Sequence, residues 1–200
     1  TKAIESYEKA IKINPDYANA YFNMGNAYKA QGNNAKAIES YEKAIKINPD
    51  YAIAYNNLGN AHYNQDNFTK AIESYEKAIK INPDYANAYF NMGNAYDDQG
   101  KFTQAIESYK KAIELKPDYA YAYYNLGNAY SNQGNHTKAI ESYEKAIEID
   151  PGDAYAYYNL GYAYADQGNY TRAIQSFEKT IELDPDDADN YFLLGLTEGK

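Results

Sequence analysis

Asparagine side chains recur along this chain at a spacing that suits one kind of recognition chemistry. One series recurs every 34 residues, and a second follows it three residues later. A primary amide carries both a donor and an acceptor, so regularly spaced copies can pair with successive N–H and C=O groups of an extended peptide. The same amides can instead bond to neighbouring helices, and the sequence leaves both roles open. The first series is Asn23, Asn57, Asn91, Asn125 and Asn159, and the second is Asn26, Asn60, Asn94 and Asn128.

Tyrosine gathers around the last members of these two series. Tyrosine is favoured in binding surfaces because it adds a large contact area at low entropic cost, so these residues are candidates for an anchor pocket. Packing against neighbouring helices is the alternative. Asp97, Asp98 and Asp166 add negative charge nearby, which favours a partner that bears lysine or arginine. The tyrosines are Tyr121, Tyr124, Tyr155, Tyr158 and Tyr162.

The elements that would carry these residues follow from the prolines, which stand 34 residues apart. A fixed period of this length is typical of a repeat array, in which each repeat buries its apolar face against its neighbours. With Ala18 as repeat position 1, apolar residues at helical spacing predict two helices in each repeat, helix A and then helix B. Gly32 can take the left-handed conformation between them, and Asn33 can cap helix B. The prolines are Pro15, Pro49, Pro83, Pro117, Pro151 and Pro185.

Glycine recurs inside helix A, at position 8 of every repeat. Because a glycine costs about 1 kcal/mol relative to alanine within a helix, we expect a packing requirement that offsets this cost. The expected requirement is a close crossing of the two helices, with helix B contributing the alanine at position 20, such as Ala37 against Gly25. The glycines are Gly25, Gly59, Gly93, Gly127, Gly161 and Gly195.

Eight residues of the first full repeat, recurring in phase along the chain, resemble the tetratricopeptide repeat. They are Tyr21, Met24, Gly25, Tyr28, Ala37, Tyr41, Ala44 and Pro49. The resemblance implies an all-α fold, a right-handed superhelical solenoid of antiparallel helix pairs. The expected organisation is a helix B at 1–17, full repeats at 18–51, 52–85, 86–119, 120–153 and 154–187, and a partial helix A at 188–200. Three departures from the pattern, His62, Asp66 and Thr180, are expected only to loosen their own turn or contact.

The resemblance also implies where a ligand would bind. In this family, the face of helix A that carries positions 2, 6, 9 and 13 lines a concave groove. An asparagine row at position 6 is similar to the ladder that holds an extended peptide in O-linked N-acetylglucosamine transferases. Repeats that bind the acidic C-terminal tails of chaperones use lysine or arginine beside such asparagines, because a carboxylate needs charged, forked donors. Positions 2 and 5 of this chain carry neither, so that carboxylate clamp is absent.

Composition and charge exclude several classes of function. A net charge of −9 repels phosphate, so we expect no nucleic-acid partner. Without cysteine there is no thiolate chemistry, and no apolar run approaches the roughly 18 residues of a membrane span. His62 and His136 have no companions at metal-ligand spacing, and no nucleophile, base and orienting group recur together. We therefore expect a cytoplasmic protein with no membrane partner, metal or cofactor, which is not an enzyme.

Both ends of the chain interrupt a repeat, because it begins at position 18 and ends at position 13. We expect an excised fragment without polar caps, whose terminal helices expose apolar side chains. These are Ile4, Tyr7, Ile11, Tyr191, Leu193 and Leu194. The ends are complementary halves of one repeat, which permits head-to-tail self-association. Three functions stay open: a scaffold that binds an extended peptide or helix, the substrate-recruiting arm of a larger enzyme such as a glycosyltransferase, and a self-assembling array.

Overall fold

The computed structural model describes residues 2–199, and the regular elements over that range are all α-helices. The chain divides into two compact units, Thr1–Gly100 and Lys101–Lys200. The first contains α1 (Lys2–Ile13), α2 (Ala18–Ala30), α3 (Asn34–Ile47), α4 (Ala52–Tyr63), α5 (Phe68–Ile81) and α6 (Ala86–Asp98). The second contains α7 (Phe102–Leu115), α8 (Ala120–Asn132), α9 (His136–Ile149), α10 (Ala154–Asp166), α11 (Tyr170–Leu183) and α12 (Ala188–Glu198). None of these helices combines the length and the apolar character that a membrane crossing requires.

Each unit is a stack of antiparallel helix pairs, with helix A at the even-numbered and helix B at the odd-numbered elements. The connections are short: α2 ends at Ala30 and α3 begins at Asn34. Such short connections join antiparallel neighbours. In the first unit α2 packs on α3 and α4 on α5, and α3 also packs on α4. In the second unit α8 packs on α9 and α10 on α11, and α9 also packs on α10. The predicted all-α helical repeat is therefore confirmed.

A buried aromatic ring occupies repeat position 24 of helix B in each of the five full repeats. These rings are at most 2% exposed, and they belong to Tyr41, Tyr75, Tyr109, Tyr143 and Phe177. The small residues beside them on helix B are buried as well, as Ala37 and Ala44 illustrate at 0% exposure. Aromatic side chains bury more apolar area than any other type, so these rings dominate the packing of each pair.

The glycine at position 8 of helix A makes room for that ring. A Cβ on Gly25 would lie 2.6 Å from Cε1 of Tyr41, and a Cβ on Gly59 would lie 2.4 Å from Cε1 of Tyr75. Both distances are far shorter than carbon atoms tolerate without a bond between them. The expected close approach is therefore present, but the side chain that requires glycine is the aromatic ring at position 24. The three atoms nearest to a Cβ on Gly25 all belong to Tyr41, and none belongs to Ala37 at position 20.

The turn between the two helices has the predicted backbone. Gly32 has a φ of +73°, and Asp66, which replaces glycine at the same repeat position, has a φ of 56°. Oδ1 of Asn33 accepts a hydrogen bond of 3.1 Å from the backbone N–H of Lys36 and so caps α3. Asp66 thus keeps the turn by adopting a left-handed conformation that is unfavourable for a residue with a Cβ.

Candidate functional site

Repeat positions 2, 5, 6 and 9 lie on one side of each helix A, because residues three, four and seven apart share a helix face. We call this side of each helix A the helix A face, and describe it for each unit by itself. In the first unit it is carried by α2, α4 and α6, and in the second by α8, α10 and α12. It contains the asparagine and tyrosine side chains for which the sequence predicts a role in ligand binding.

The asparagines at position 9 are hydrogen-bonded to the core. The hydroxyl of Tyr41 donates to Oδ1 of Asn26 at 2.8 Å. The same contact joins Tyr75 to Asn60 at 2.8 Å. Burial raises the pKa of Tyr41 to about 12, so its hydroxyl stays protonated and can donate at neutral pH. Each of these asparagines therefore uses its acceptor within its own repeat.

Two asparagines at position 6, Asn57 and Asn91, connect consecutive repeats of the first unit. Nδ2 of Asn57 donates to Oδ1 of Asn26 at 3.0 Å. Asn56 extends this chain, because its Nδ2 donates to Oδ1 of Asn57 at 3.3 Å and its Oδ1 accepts from Nδ2 of Asn91 at 3.1 Å. Four amides from α2, α4 and α6 thus form one continuous network in the first unit. Reasoning from the sequence missed Asn56, although it is the one asparagine in a position that is otherwise aromatic.

In the second unit the amide of Asn159 joins α10 to α8. Its Nδ2 donates to the Tyr124 hydroxyl at 2.9 Å and to Oδ1 of Asn128 at 3.2 Å. Oδ1 of Asn128 also accepts from the Tyr143 hydroxyl at 2.7 Å. Within the described part of the chain, Oδ1 of Asn159 and Nδ2 of Asn128 make no hydrogen bond. One bonded pair of amides therefore has an acceptor and a donor that no described residue uses.

The remaining members of the two series differ in environment. Asn23 is exposed, and its side chain makes no hydrogen bond to the described residues. Asn94 and Asn125 are half-buried and interact with other residues of the chain. The structure thus places the asparagines along the helix A face, and most of them have at least one partner there.

The five candidate tyrosines divide into exposed and packed side chains. Tyr121 is 66% exposed and Tyr155 is 74% exposed. Tyr162 is 39% exposed, and its ring lies edge-on to Phe177 at 5.7 Å. Tyr124 and Tyr158 are half-buried. Tyr121 and Tyr155 therefore offer the largest surface to a ligand.

The two half-buried tyrosines contribute to the fold. The ring centre of Tyr124 lies 6.1 Å from that of Tyr143. The ring centre of Tyr158 lies 5.0 Å from that of Tyr162. The hydrogen bond to Tyr162, burial and the nearby charges of Asp189 and Asp187 raise the pKa of Tyr158 to about 12. Substituting Tyr124 or Tyr158 would therefore disturb packing as well as any ligand contact.

The acidic residues expected near the face also have partners. The Tyr63 hydroxyl donates to Oδ2 of Asp98, and burial together with this carboxylate raises the pKa of Tyr63. Nδ1 of His136 lies 3.6 Å from Oδ2 of Asp166. Asp97 is half-buried and interacts with another residue of the chain. Among the side chains that the structure describes, no group of three or more His, Cys, Asp or Glu is placed to hold a metal ion.

The apolar residues expected to be exposed near the two ends differ from one another. Ile4 is buried at 7% exposure, so that expectation was wrong for this residue, because α1 packs on α2. Tyr191 is 51% exposed. Tyr7, Ile11, Leu193 and Leu194 are half-buried.

Profiles of one repeat family match successive parts of the chain. Two profiles described as tetratricopeptide repeat match residues 52–85, 120–153 and 154–187, and residues 74–107. A third, described as TPR repeat, matches residues 1–32, 25–66 and 93–134. No curated protein matches the chain significantly.

Several solved structures share the fold. MamA has a TM-score of 0.78 and 34% sequence identity, over 83% of this chain and 97% of MamA. YrrB, described as a TPR protein with an unusual peptide-binding site, has a TM-score of 0.80 and 25% identity, over 98% of this chain and 100% of YrrB. MamA from Desulfovibrio magneticus RS-1 has a TM-score of 0.79 and 22% identity, over 86% of this chain and 97% of the MamA chain. At this identity the likeness supports only the fold. The profiles, the helix pairs and these neighbours agree, and the chain belongs to the tetratricopeptide repeat family.

Proposed function

We propose that this chain is a protein-interaction scaffold that holds an extended peptide on its helix A face, with the tyrosines of the second unit as anchors. Tetratricopeptide repeats are generally non-catalytic scaffolds, and the neighbouring structures support a role in protein interaction. The observation that carries the proposal is the exposure of Tyr121 and Tyr155, at 66% and 74%, on the same helix A face as the bonded amides of Asn128 and Asn159. Exposed aromatic rings next to fixed polar groups are typical of binding hot spots.

The amide pair suits a peptide backbone. A peptide group presents one N–H and one C=O, and Oδ1 of Asn159 and Nδ2 of Asn128 are the complementary acceptor and donor. The bond of 3.2 Å between these two side chains holds both amides in place before a ligand arrives. Because little side-chain freedom is then lost on binding, the pair is preorganised for backbone recognition.

The test is a selection of random dodecapeptides on the whole chain, followed by affinity measurement on a variant with Tyr121→Ala and Tyr155→Ala. We expect the selected peptides to bind the variant at least about tenfold more weakly, since exposed tyrosine anchors are lost. Glu141→Ala, on the outer face of α9, is the matched control and should bind like the wild type. N-methylation of the peptide backbone should also weaken binding. Peptides that bind the double variant and the wild type equally well would contradict the proposal.

Self-association is a second candidate function, favoured by one observation. Phe192 and Leu196 of α12 are 64% and 53% exposed, and a third apolar side chain, Tyr191, is 51% exposed. Exposed apolar side chains this close together are typical of interaction sites. Sedimentation should then show concentration-dependent assembly that Phe192→Ser abolishes, and a monomer at every concentration would contradict it. The role of a recruiting arm in a larger enzyme stays a prediction from the sequence.

A further inference from the structure

A cavity of about 190 Å³ lies within the second unit, between α10, α11 and α12. Tyr155 and Tyr158 form its wall on the helix A face, so it opens beside the surface proposed to bind peptide. Thr180 and Asn190 line it together with two carboxylates. Besides Ala154, the lining residues are Tyr155, Tyr158, Thr180, Asp184, Asp187 and Asn190.

Two polar substitutions distinguish this place from its counterparts in the other repeats. Position 3 of helix A is a buried alanine throughout the full repeats, but it is Asn190 in α12. Position 27 of helix B is alanine in the first four full repeats, but it is Thr180 in α11. The alanines are Ala20, Ala54, Ala88, Ala122 and Ala156 at position 3, and Ala44, Ala78, Ala112 and Ala146 at position 27. Polar groups thus line an interface that elsewhere buries methyl groups.

The amide of Asn190 is only half satisfied. The side chain is 1% exposed, and its Nδ2 donates to the backbone carbonyl of Asp184 at 3.3 Å. Its Oδ1 is buried and accepts no hydrogen bond from residues 2–199. The Thr180 hydroxyl, which also lines the cavity, donates to the carbonyl of Ser176 at 3.0 Å. A buried acceptor without a donor is costly, so a ligand that donates to Asn190 Oδ1 would relieve that cost.

The charge around the cavity selects the kind of donor. Asp184 and Asp187 line it, and Asp186 and Asp189 are their neighbours in the chain. None of the ion pairs in the described part of the chain involves these four carboxylates. Metal binding is not favoured, because these carboxylates are not grouped as a metal site would require. An organic cation is the complementary ligand, and the rings of Tyr155 and Tyr158 can add cation–π attraction.

We propose that this cavity binds the ammonium or guanidinium group of a lysine or arginine side chain, supplied by a peptide on the helix A face. The proposal deepens and rests on the peptide-binding function, because Tyr155 belongs to both sites. The cation donates to Asn190 Oδ1 and is neutralised by Asp184 and Asp187. Both side chains carry several N–H donors and no acceptor, which matches a cavity lined by acceptors.

The test uses the whole chain and three small probes, the N-acetyl methylamides of arginine, lysine and citrulline. Binding is followed by NMR through the side-chain amide signals of Asn190. We expect saturable shifts with arginine, lysine or both, and affinity at least about tenfold weaker for citrulline, which keeps the size of arginine without its charge. Binding of citrulline as tight as that of arginine, or no saturable binding of either cation, would overturn the proposal.

Two variants check the assignment. Asn190→Ala restores the residue of the other repeats, so it should fold well and lose at least about tenfold in affinity for the cationic probe. Asp184→Asn removes one charge at nearly constant shape and should weaken the cation in the same way. Unchanged affinity in both variants would contradict the site. The outcome is separable from the peptide selection: selected peptides that bind without any lysine or arginine would keep the scaffold function and overturn the cation site. Cation binding without any selected peptide would keep the cavity's selectivity for cations, but it would overturn the scaffold function and the peptide as the source of the cation.

Discussion

The hydroxyl of Tyr143 donates a hydrogen bond of 2.7 Å to Oδ1 of Asn128 and thereby joins the core of a helix pair to the helix A face. In the last full repeat the core ring is Phe177, which has no hydroxyl, and position 9 is Tyr162 in place of asparagine. The Tyr162 ring instead packs edge-on against Phe177 at 5.7 Å. The core residue and the face residue therefore change together, which indicates that asparagine at position 9 serves the fold as well as any ligand.

Removing that hydroxyl should weaken the repeat. We expect Tyr143→Phe to lower the free energy of unfolding by about 1 kcal/mol, because one partly buried hydrogen bond is lost. Chemical denaturation followed by circular dichroism measures the change. Tyr121→Phe, which removes an exposed hydroxyl, is the control and should leave stability within about 0.5 kcal/mol. A Tyr143→Phe variant as stable as the wild type would show that the bond contributes nothing.

Two glycines at the same repeat position should respond in opposite ways to alanine. A Cβ on Gly161 would lie 2.6 Å from Cε1 of the buried Phe177 ring, whereas a Cβ on Gly195 would meet no atom within 4 Å. We expect Gly161→Ala to destabilise by about 1–3 kcal/mol through overpacking. Gly195→Ala should stabilise by up to about 1 kcal/mol through helix propensity. Thermal unfolding distinguishes the two, and a destabilising Gly195→Ala would refute the role given to the ring.

Replacing Asp66, a turn residue with a left-handed backbone, by glycine should stabilise the protein. Its φ is 56°, and glycine adopts this conformation without the steric cost of a Cβ. We expect Asp66→Gly to raise the free energy of unfolding by about 1 kcal/mol. The reciprocal change, Gly32→Ala at a φ of +73°, should lower it by about 1–2 kcal/mol, although no atom lies within 4 Å of the new Cβ. Equal stability of both variants and the wild type would contradict the backbone explanation.

His62 should make stability depend on pH. Its ring is buried at 8% exposure, and desolvation, followed by the charge of Lys70, lowers its pKa below the usual 6.5, while Glu42 and Glu73 partly oppose the shift. The unfolded chain therefore binds the proton more readily than the folded chain. The stability of the folded chain that depends on neutral His62 is fully present above pH 6.5, the usual pKa. It is lost as the pH falls below 6.5 towards the lower pKa of the folded chain.

His62→Tyr is the matching variant, because tyrosine occupies this repeat position in Tyr28, Tyr96, Tyr130 and Tyr164. We expect the wild type to lose stability relative to this variant as the pH falls from about 7.5 to about 5. Denaturation midpoints measured across that range provide the comparison. Parallel curves for the two proteins would mean that His62 titrates equally in the folded and unfolded chain.

Residues that repeat in phase could be placed from the sequence. The spacing of Pro49 and Gly32 located the helices, and the periodicity of Asn57 and Tyr155 located the helix A face. The partners of each amide could not be predicted in this way. A primary amide can donate or accept, and only the positions of Tyr41 and Asn26 decide that the acceptor is used internally. Asn190 is a second example. The sequence shows that Asn190 replaces an alanine of the earlier repeats, but it does not show the cavity that Asn190 lines.

The 34-residue period and the residues that recur in phase with it determined the helical repeat, its family and the helix positions at which asparagine and tyrosine gather. Helix formation and amphipathic packing depend on the spacing of apolar residues along the chain, and the sequence gives that spacing directly. Only the tertiary structure decided that the ring of Tyr41 is what requires Gly25, that Tyr155 is more exposed than Tyr158, and that Asn190 Oδ1 lacks a donor beside two carboxylates. These properties depend on which atoms of separate helices come within a few ångströms of each other, and no residue spacing specifies that.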